Sequence, residues 1–77
     1  MNARGERSRM AILQAVESFW REHGRPPSIM DVGERAGLSK SGVYYLARAM
    51  RREGSLNFES RRHCTFRLTT LGMEMLR

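Results

Sequence analysis

The sequence predicts a small α+β domain made of three helices, a two-stranded β-hairpin and a short terminal helix. Two observations carry this prediction. Residues 28–52 show the apolar spacing of two short helices joined by a glycine turn. Residues 56–68 change to a period of two on either side of a polar turn, which is typical of two half-buried strands. At 77 residues the chain has room for a single domain, residues 1–77, with a small core.

The first helix is predicted from about residue 6 or 7 to His23, after a frayed start over residues 1–6. Its apolar residues recur at the spacing of a stripe that packs on a core: Ile12, Leu13, Val16, Phe19 and Trp20. We therefore expect Trp20 to be a core anchor. Gly24 ends this helix, and the Pro26-Pro27 pair prevents its continuation, so that an extended linker leads into the next helix.

The second helix begins at a capping-box-like pair, Ser28 and Asp31, in which aspartate replaces the usual glutamate. Gly37 lies where this helix should end, because glycine adopts positive φ without a Cβ penalty. Ser39 is then a good N-cap for a third helix, over about residues 39–53. The two helices and their turn have the layout of a helix-turn-helix, whose second helix enters the DNA major groove, although a plain helical hairpin has similar spacing.

The third helix is predicted to have one apolar and one polar face. The residues expected to face inward are Val43, Leu46, Ala47 and Met50. Those expected to face outward are Lys40, Ser41, Tyr44, Tyr45, Arg48 and Arg52. The outward face carries hydroxyls, aromatic rings and cations, with no carboxylate before Glu53. This chemistry suits phosphates and base edges and favours a DNA contact over a solvated face.

The hairpin that follows has a basic tip. Its predicted inward residues alternate with polar ones and are Leu56, Phe58, Cys64, Phe66 and Leu68. Ser60, Arg61, Arg62 and His63 form the turn. We interpret Cys64 as a small core residue and His63 as a phosphate or groove contact, with an idle surface histidine as the alternative. The tail begins with a threonine cap and has a short apolar face that either closes the domain or pairs with a second copy: Leu71, Met75 and Leu76.

Composition excludes several classes of protein. Net charge is +6, and thirteen of the fourteen cations are arginine, which points to a polyanionic partner. One cysteine and two histidines provide neither a disulfide framework nor a standard zinc site. No apolar run is long enough to span a membrane. Because no catalytic set or phosphate-binding glycine loop has suitable spacing, we expect no enzyme activity, no cofactor, no metal and no small-molecule ligand.

The order of helix, G-x-P-P linker, helix-turn-helix and arginine-tipped hairpin resembles the winged-helix DNA-binding domain of LexA-type repressors. The residues that carry the resemblance, over nearly the whole chain, are 23–28, Val32, 36–39, Leu46, Met50, 52–54 and the hairpin. The ending LTTLG also resembles the strand-to-helix junction of MarR- and PadR-like regulators. LexA-like repressors carry a self-cleaving peptidase domain that this chain lacks, so we expect a stand-alone regulator or an excised domain. Residues 40–45 depart from the LexA pattern, so the SOS operator is not carried over.

The resulting hypothesis is a winged helix-turn-helix that binds specific double-stranded DNA and represses transcription by occluding an operator. The recognition helix, about 39–53, would lie in the major groove, and the wing, residues 56–68, on the backbone or in the minor groove. Base edges would be contacted by Lys40, Ser41, Tyr44 and Tyr45. Phosphates would be contacted by Arg25, Ser28, Ser39, Arg48, Arg52, Arg61, Arg62 and His63.

A single small module binds DNA modestly, so a homodimer on a repeated or palindromic site is expected. We expect the protein to be cytoplasmic and nucleoid-associated, of bacterial, phage or plasmid origin. Two alternatives stay open. One is a winged helix used as a protein-interaction module, which would tolerate loss of the basic face. The other is an RNA-binding or ribosome-associated basic module, which would prefer structured RNA to duplex DNA.

Overall fold

The computed structural model describes residues 3–59 and 65–77, and the predicted α+β winged helix-turn-helix is confirmed in them. The elements, in order, are α1 (Ala3–His23), α2 (Ile29–Ala36), α3 (Lys40–Glu53), β1 (Leu56–Phe58), β2 (Phe66–Leu68) and α4 (Thr70–Met75). The two strands are antiparallel, with Leu56 opposite Leu68 and Phe58 opposite Phe66. The hairpin and the three long helices therefore have the predicted order.

The start of α1 differs from the prediction. The helix begins at Ala3, several residues before the expected start at residue 6 or 7. Alanine, arginine and glutamate all favour helix, and one glycine at position 5 costs only about 1 kcal/mol. Nothing in this segment stops the helix, so it extends toward the N-terminus.

The turns of the helix-turn-helix have the predicted caps. The Ser28 hydroxyl accepts a hydrogen bond from the Asp31 backbone N–H at 3.2 Å, and the Asp31 carboxylate accepts one from the Ser28 N–H at 2.9 Å. Gly37 is left-handed, with φ of 70°, and Ser39 caps α3 by accepting from the Gly42 N–H at 3.0 Å. These local bonds fix where α2 ends and α3 begins.

The core lies between α1, the helix-turn-helix and the inner face of the hairpin. Its buried residues are Ile12, Leu13, Ala15, Val16, Val32, Val43, Ala47, Met50, Leu56, Phe58 and Phe66. A close approach between α2 and the following turn needs a glycine, because a Cβ on Gly33 would lie 2.9 Å from the Leu38 carbonyl oxygen. Because glycine has no Cβ, the turn can pass this close to α2.

Trp20 is not the core anchor that the stripe of α1 predicted. Its side chain is 44% exposed. It borders a shallow groove of about 320 Å³, and the Arg67 guanidinium lies 5.4 Å from the centre of its ring. The groove is lined by Val16, Glu17, Trp20, Arg67, Leu68 and Met73. The most buried residues of α1 are Ile12, Leu13 and Val16, which lie in earlier turns of the helix. Trp20 follows them toward the C-terminal end of α1, where β2 and α4 flank it without covering it.

The linker between α1 and α2 pairs with the hairpin. The Phe66 N–H donates to the Pro27 carbonyl at 3.0 Å, and Ser28 forms an isolated antiparallel bridge with Thr65. The expected extended linker therefore acts as a minimal third strand beside β2. It holds the start of α2 against the beginning of β2.

Helix α4 packs through only part of the apolar face predicted for it. Thr69 caps it, as expected, by accepting from the Gly72 N–H at 3.1 Å. Its inward positions are Gly72, which is buried, and Leu76, which packs against the core. Leu71 and Met75 are 45% and 42% exposed, so most of the predicted apolar face points to solvent. Among the described residues, no helix is both long enough and apolar enough to cross a membrane.

Candidate nucleic-acid interface

Helix α3 has the two faces that its sequence predicted. Val43, Ala47 and Met50 are buried, and Leu46 packs against them from a half-buried position. The six residues predicted to face outward are all exposed: Lys40, Ser41, Tyr44, Tyr45, Arg48 and Arg52. The core thus fixes the rotation of α3 about its axis, and it presents one continuous polar face.

The two tyrosines on this face are held differently. Tyr45 is 78% exposed and projects from the helix. Tyr44 is 37% exposed, and its ring meets Phe58 of β1 edge-on, with the centroids 6.1 Å apart. The Arg48 guanidinium lies 5.9 Å from the centre of the Tyr44 ring. The Tyr44 ring is therefore in contact with protein side chains, whereas the Tyr45 ring is surrounded mainly by solvent.

The electrostatic character of the exposed α3 face is positive. Lys40, Arg48 and Arg52 lie on it, and the first carboxylate of the helix is Glu53 at its C-terminal end. Glu53 forms an ion pair with Arg9 of α1 at 3.1 Å, which neutralises it. A polyanion that approaches α3 therefore meets cations and hydroxyls first.

Two other glutamates, Glu17 and Glu22, are paired within the body of the domain. Glu17 pairs with Arg21 along α1, and Glu22 pairs with Arg35 of α2 at 3.0 Å. Arg35 also stacks 5.1 Å from the centre of the Phe19 ring. Arg35 is therefore engaged in joining α1 to α2.

The sequence-predicted residues near the start of α2 lie together. Arg25 is exposed, 3.9 Å from the Asp31 carboxylate and 4.8 Å from the centre of the Phe19 ring. The hydrogen bond from the Ser28 N–H lowers the pKa of Asp31, with smaller help from the Ser28 hydroxyl, Arg25 and His23 and some opposition from burial. Asp31 is thus held ionised, and Arg25 keeps an exposed guanidinium at this edge.

Both serines predicted to contact phosphate serve as helix caps. The Ser28 hydroxyl also donates to Asp31 at 2.9 Å, so a contact with phosphate would compete with that bond. The Ser39 hydroxyl accepts from Gly42 and keeps its own hydrogen for another acceptor. The remaining predicted residues lie outside the described residues: Arg61, Arg62, His63 and Cys64, the last of which was predicted to be in the core.

One residue of this region was missed by the sequence analysis. Arg51 donates to the Phe58 carbonyl at 3.0 Å, and its guanidinium lies 4.3 Å from the centre of the Phe58 ring. It follows Ala47 by four residues, which places it at the edge of the buried stripe of α3. That spacing was the available signal, and it indicates a residue that reaches from α3 to the wing.

The comparison with curated sequences finds a repressor. Over 58 residues, which are 74% of the chain, the sequence is 38% identical to the LexA repressor of Thermobifida fusca (strain YX). The chain is a winged helix-turn-helix domain homologous to LexA. The matched part is 23% of that repressor, so the chain spans less than a quarter of its relative's length.

The comparison with solved structures supports the fold. The chain superposes on a structure of Bordetella bronchiseptica BpsR with a TM-score of 0.74 and 20% identity, over 90% of this chain and 47% of that one. That structure is described as showing how 6-hydroxynicotinic acid regulates DNA binding by BpsR. No protein-family model matches the chain. At this identity the likeness shows a shared fold.

Proposed function

We propose that this chain binds specific double-stranded DNA and regulates transcription, as a repressor that occludes its operator. The observation that carries the proposal is the exposed face of α3, where two tyrosines, a serine and three cations lie together on the second helix of a helix-turn-helix. The homology to LexA, a named repressor, supports the same function. A regulator of this kind acts on DNA at the nucleoid, in the cytoplasm.

In the proposed complex, α3 lies in the major groove. Lys40, Ser41, Tyr44 and Tyr45 contact base edges, because the first turns of α3 carry them on its outward face. A tyrosine ring suits the apolar methyl group of thymine, and its hydroxyl donates to a base or a phosphate. These four residues supply the sequence preference.

The remaining cations hold the backbone. Arg48 and Arg52 lie further along α3, and Arg25 lies beside the start of α2, so the three face different parts of the backbone. Ser28 and Ser39 add contacts at the N-termini of α2 and α3, within the limits that their capping bonds impose. The wing, through Arg61, Arg62 and His63, contacts phosphates or the minor groove.

Two copies on a repeated or palindromic site give the affinity that one small module lacks. Either a homodimer or two adjacent monomers would satisfy this requirement. Occupancy of the operator then excludes polymerase, which is the proposed mode of repression.

The test is the salt dependence of binding to duplex DNA recovered by selection from a random library. With roughly four to six phosphates neutralised, log K should fall against log salt with a slope of about −4 to −5. A flat slope would reject the DNA proposal in favour of protein interaction. Tighter binding to structured RNA than to any duplex would favour the RNA-binding alternative.

A further inference from the structure

A continuous stack of side chains joins the recognition helix to the wing. Arg48 lies over Tyr44, the Tyr44 ring meets the edge of Phe58, and Arg51 lies over Phe58 at 4.3 Å. Phe58 itself is 5% exposed, and its ring packs on Phe66 of the opposite strand with centroids 5.0 Å apart. The stack therefore reaches from the solvent-facing side of α3 into the core of the hairpin.

Arg51 has a different role from Arg48 and Arg52, which lie on the outward face of α3. Its guanidinium is used twice within the protein, as a donor to the Phe58 carbonyl at 3.0 Å and as a cation over the Phe58 ring. Arg52, the next residue, lies on the exposed outward face. A planar guanidinium can form the bond and the stack together, whereas a lysine ammonium lacks the plane that stacking requires.

We propose that Arg51 and Phe58 are positioning residues that determine specificity by holding the Tyr44 ring in place before DNA arrives. The inference rests on the proposed DNA-binding function. The cost of ordering a side chain on binding is avoided when the free protein already orders it. By this argument Tyr44 is the prearranged base contact, and Tyr45, at 78% exposure, becomes ordered only in the complex.

Arg51→Lys separates geometry from charge, because it keeps the cation and removes the planar stack. The variant should bind the selected duplex about two- to tenfold more weakly. Its affinity for random duplex and its salt slope should stay unchanged. The matched control is Arg35→Lys, the same change at another arginine that stacks on a phenylalanine ring but joins α1 to α2, and it should leave the ratio of selected to random affinity unaltered. Phe58→Leu, which keeps an apolar side chain but removes the ring, should lower the ratio as Arg51→Lys does.

The same proteins are examined without DNA by measuring nuclear Overhauser contacts between the Tyr44 and Phe58 rings. These contacts should be strong in the wild type, weakened in Arg51→Lys and unchanged in Arg35→Lys. If Arg51→Lys keeps the wild-type ratio of selected to random duplex affinity, the proposal is overturned. A lowered ratio with intact ring contacts would overturn it too, because Arg51 would then touch DNA directly. If the wild type prefers no duplex, the proposed function fails, and the ring contacts alone still decide whether Arg51 holds Tyr44.

Discussion

Gly72 provides a stringent test of how α4 packs. It is buried on the inward side of α4, and a Cβ added there would lie 2.2 Å from the Ser55 carbonyl oxygen. Approaches under 3.0 Å are essentially absent from real proteins, so Gly72→Ala must push α4 away by about 0.8 Å. The obstacle is backbone, which cannot rotate aside as a side chain can.

The displacement also strains the start of α4. The Thr69 N–H donates to the Ser55 carbonyl at 3.3 Å, and the Thr69 hydroxyl donates to the Gly54 carbonyl at 2.6 Å. Overpacking costs about 1–3 kcal/mol, and each weakened hydrogen bond costs up to about 1 kcal/mol. The better helix propensity of alanine returns about 1 kcal/mol. The free energy of unfolding should therefore fall by about 2–3 kcal/mol, and Tm by roughly 10–20 °C.

Thermal melts followed by circular dichroism measure this effect. The control is Glu74→Ala on the exposed side of the same helix, which should change the free energy of unfolding by less than about 0.5 kcal/mol. If Gly72→Ala melts together with this control, α4 does not pack against the turn after α3 as the structure shows.

Two further stability predictions concern α1 and the capping box. Trp20→Ala should cost about 1–2 kcal/mol in urea unfolding, well below the roughly 3–5 kcal/mol of a buried tryptophan, because the side chain is 44% exposed; a loss above 3 kcal/mol would show that it is buried after all. Asp31→Asn should destabilise the domain at pH 7 by about 0.5–2 kcal/mol, because it removes the charged partner of the Ser28 N–H. Since folding lowers the pKa of Asp31, its stabilisation is present above the ordinary aspartate pKa near 4 and is lost as the pH falls through the folded-state value. The difference in Tm between wild type and Asp31→Asn should therefore shrink in acid, and a difference that widened would contradict the assigned bond.

Features set by neighbouring residues were predictable from the sequence. The capping box at Ser28, the left-handed Gly37 and the cap at Ser39 each depend on atoms within four residues. The two faces of α3 followed from periodicity, because one helix turn brings residues three and four apart onto the same side. These local rules placed the six exposed residues of the candidate site.

Features set by distant parts of the chain were not predictable in the same way. The exposure of Trp20 depends on how β2 and α4 flank it, and the need for glycine at position 72 depends on the Ser55 carbonyl. The contact of Arg51 with Phe58 joins residues seven apart across a turn whose geometry the sequence did not specify. In each case the deciding partner lies in another element, so periodicity within one element could not identify it.

The most direct measurement is the affinity of Tyr45→Ala for the selected duplex and for random duplex. Tyr45 is 78% exposed, so its removal should leave the fold and its Tm essentially unchanged. If α3 contacts base edges, affinity for the selected duplex should fall by about 1–3 kcal/mol, roughly 5- to 150-fold, and affinity for random duplex should change little. An equal loss on both duplexes would contradict the central claim and would assign the sequence preference to the wing or to the shape of the DNA.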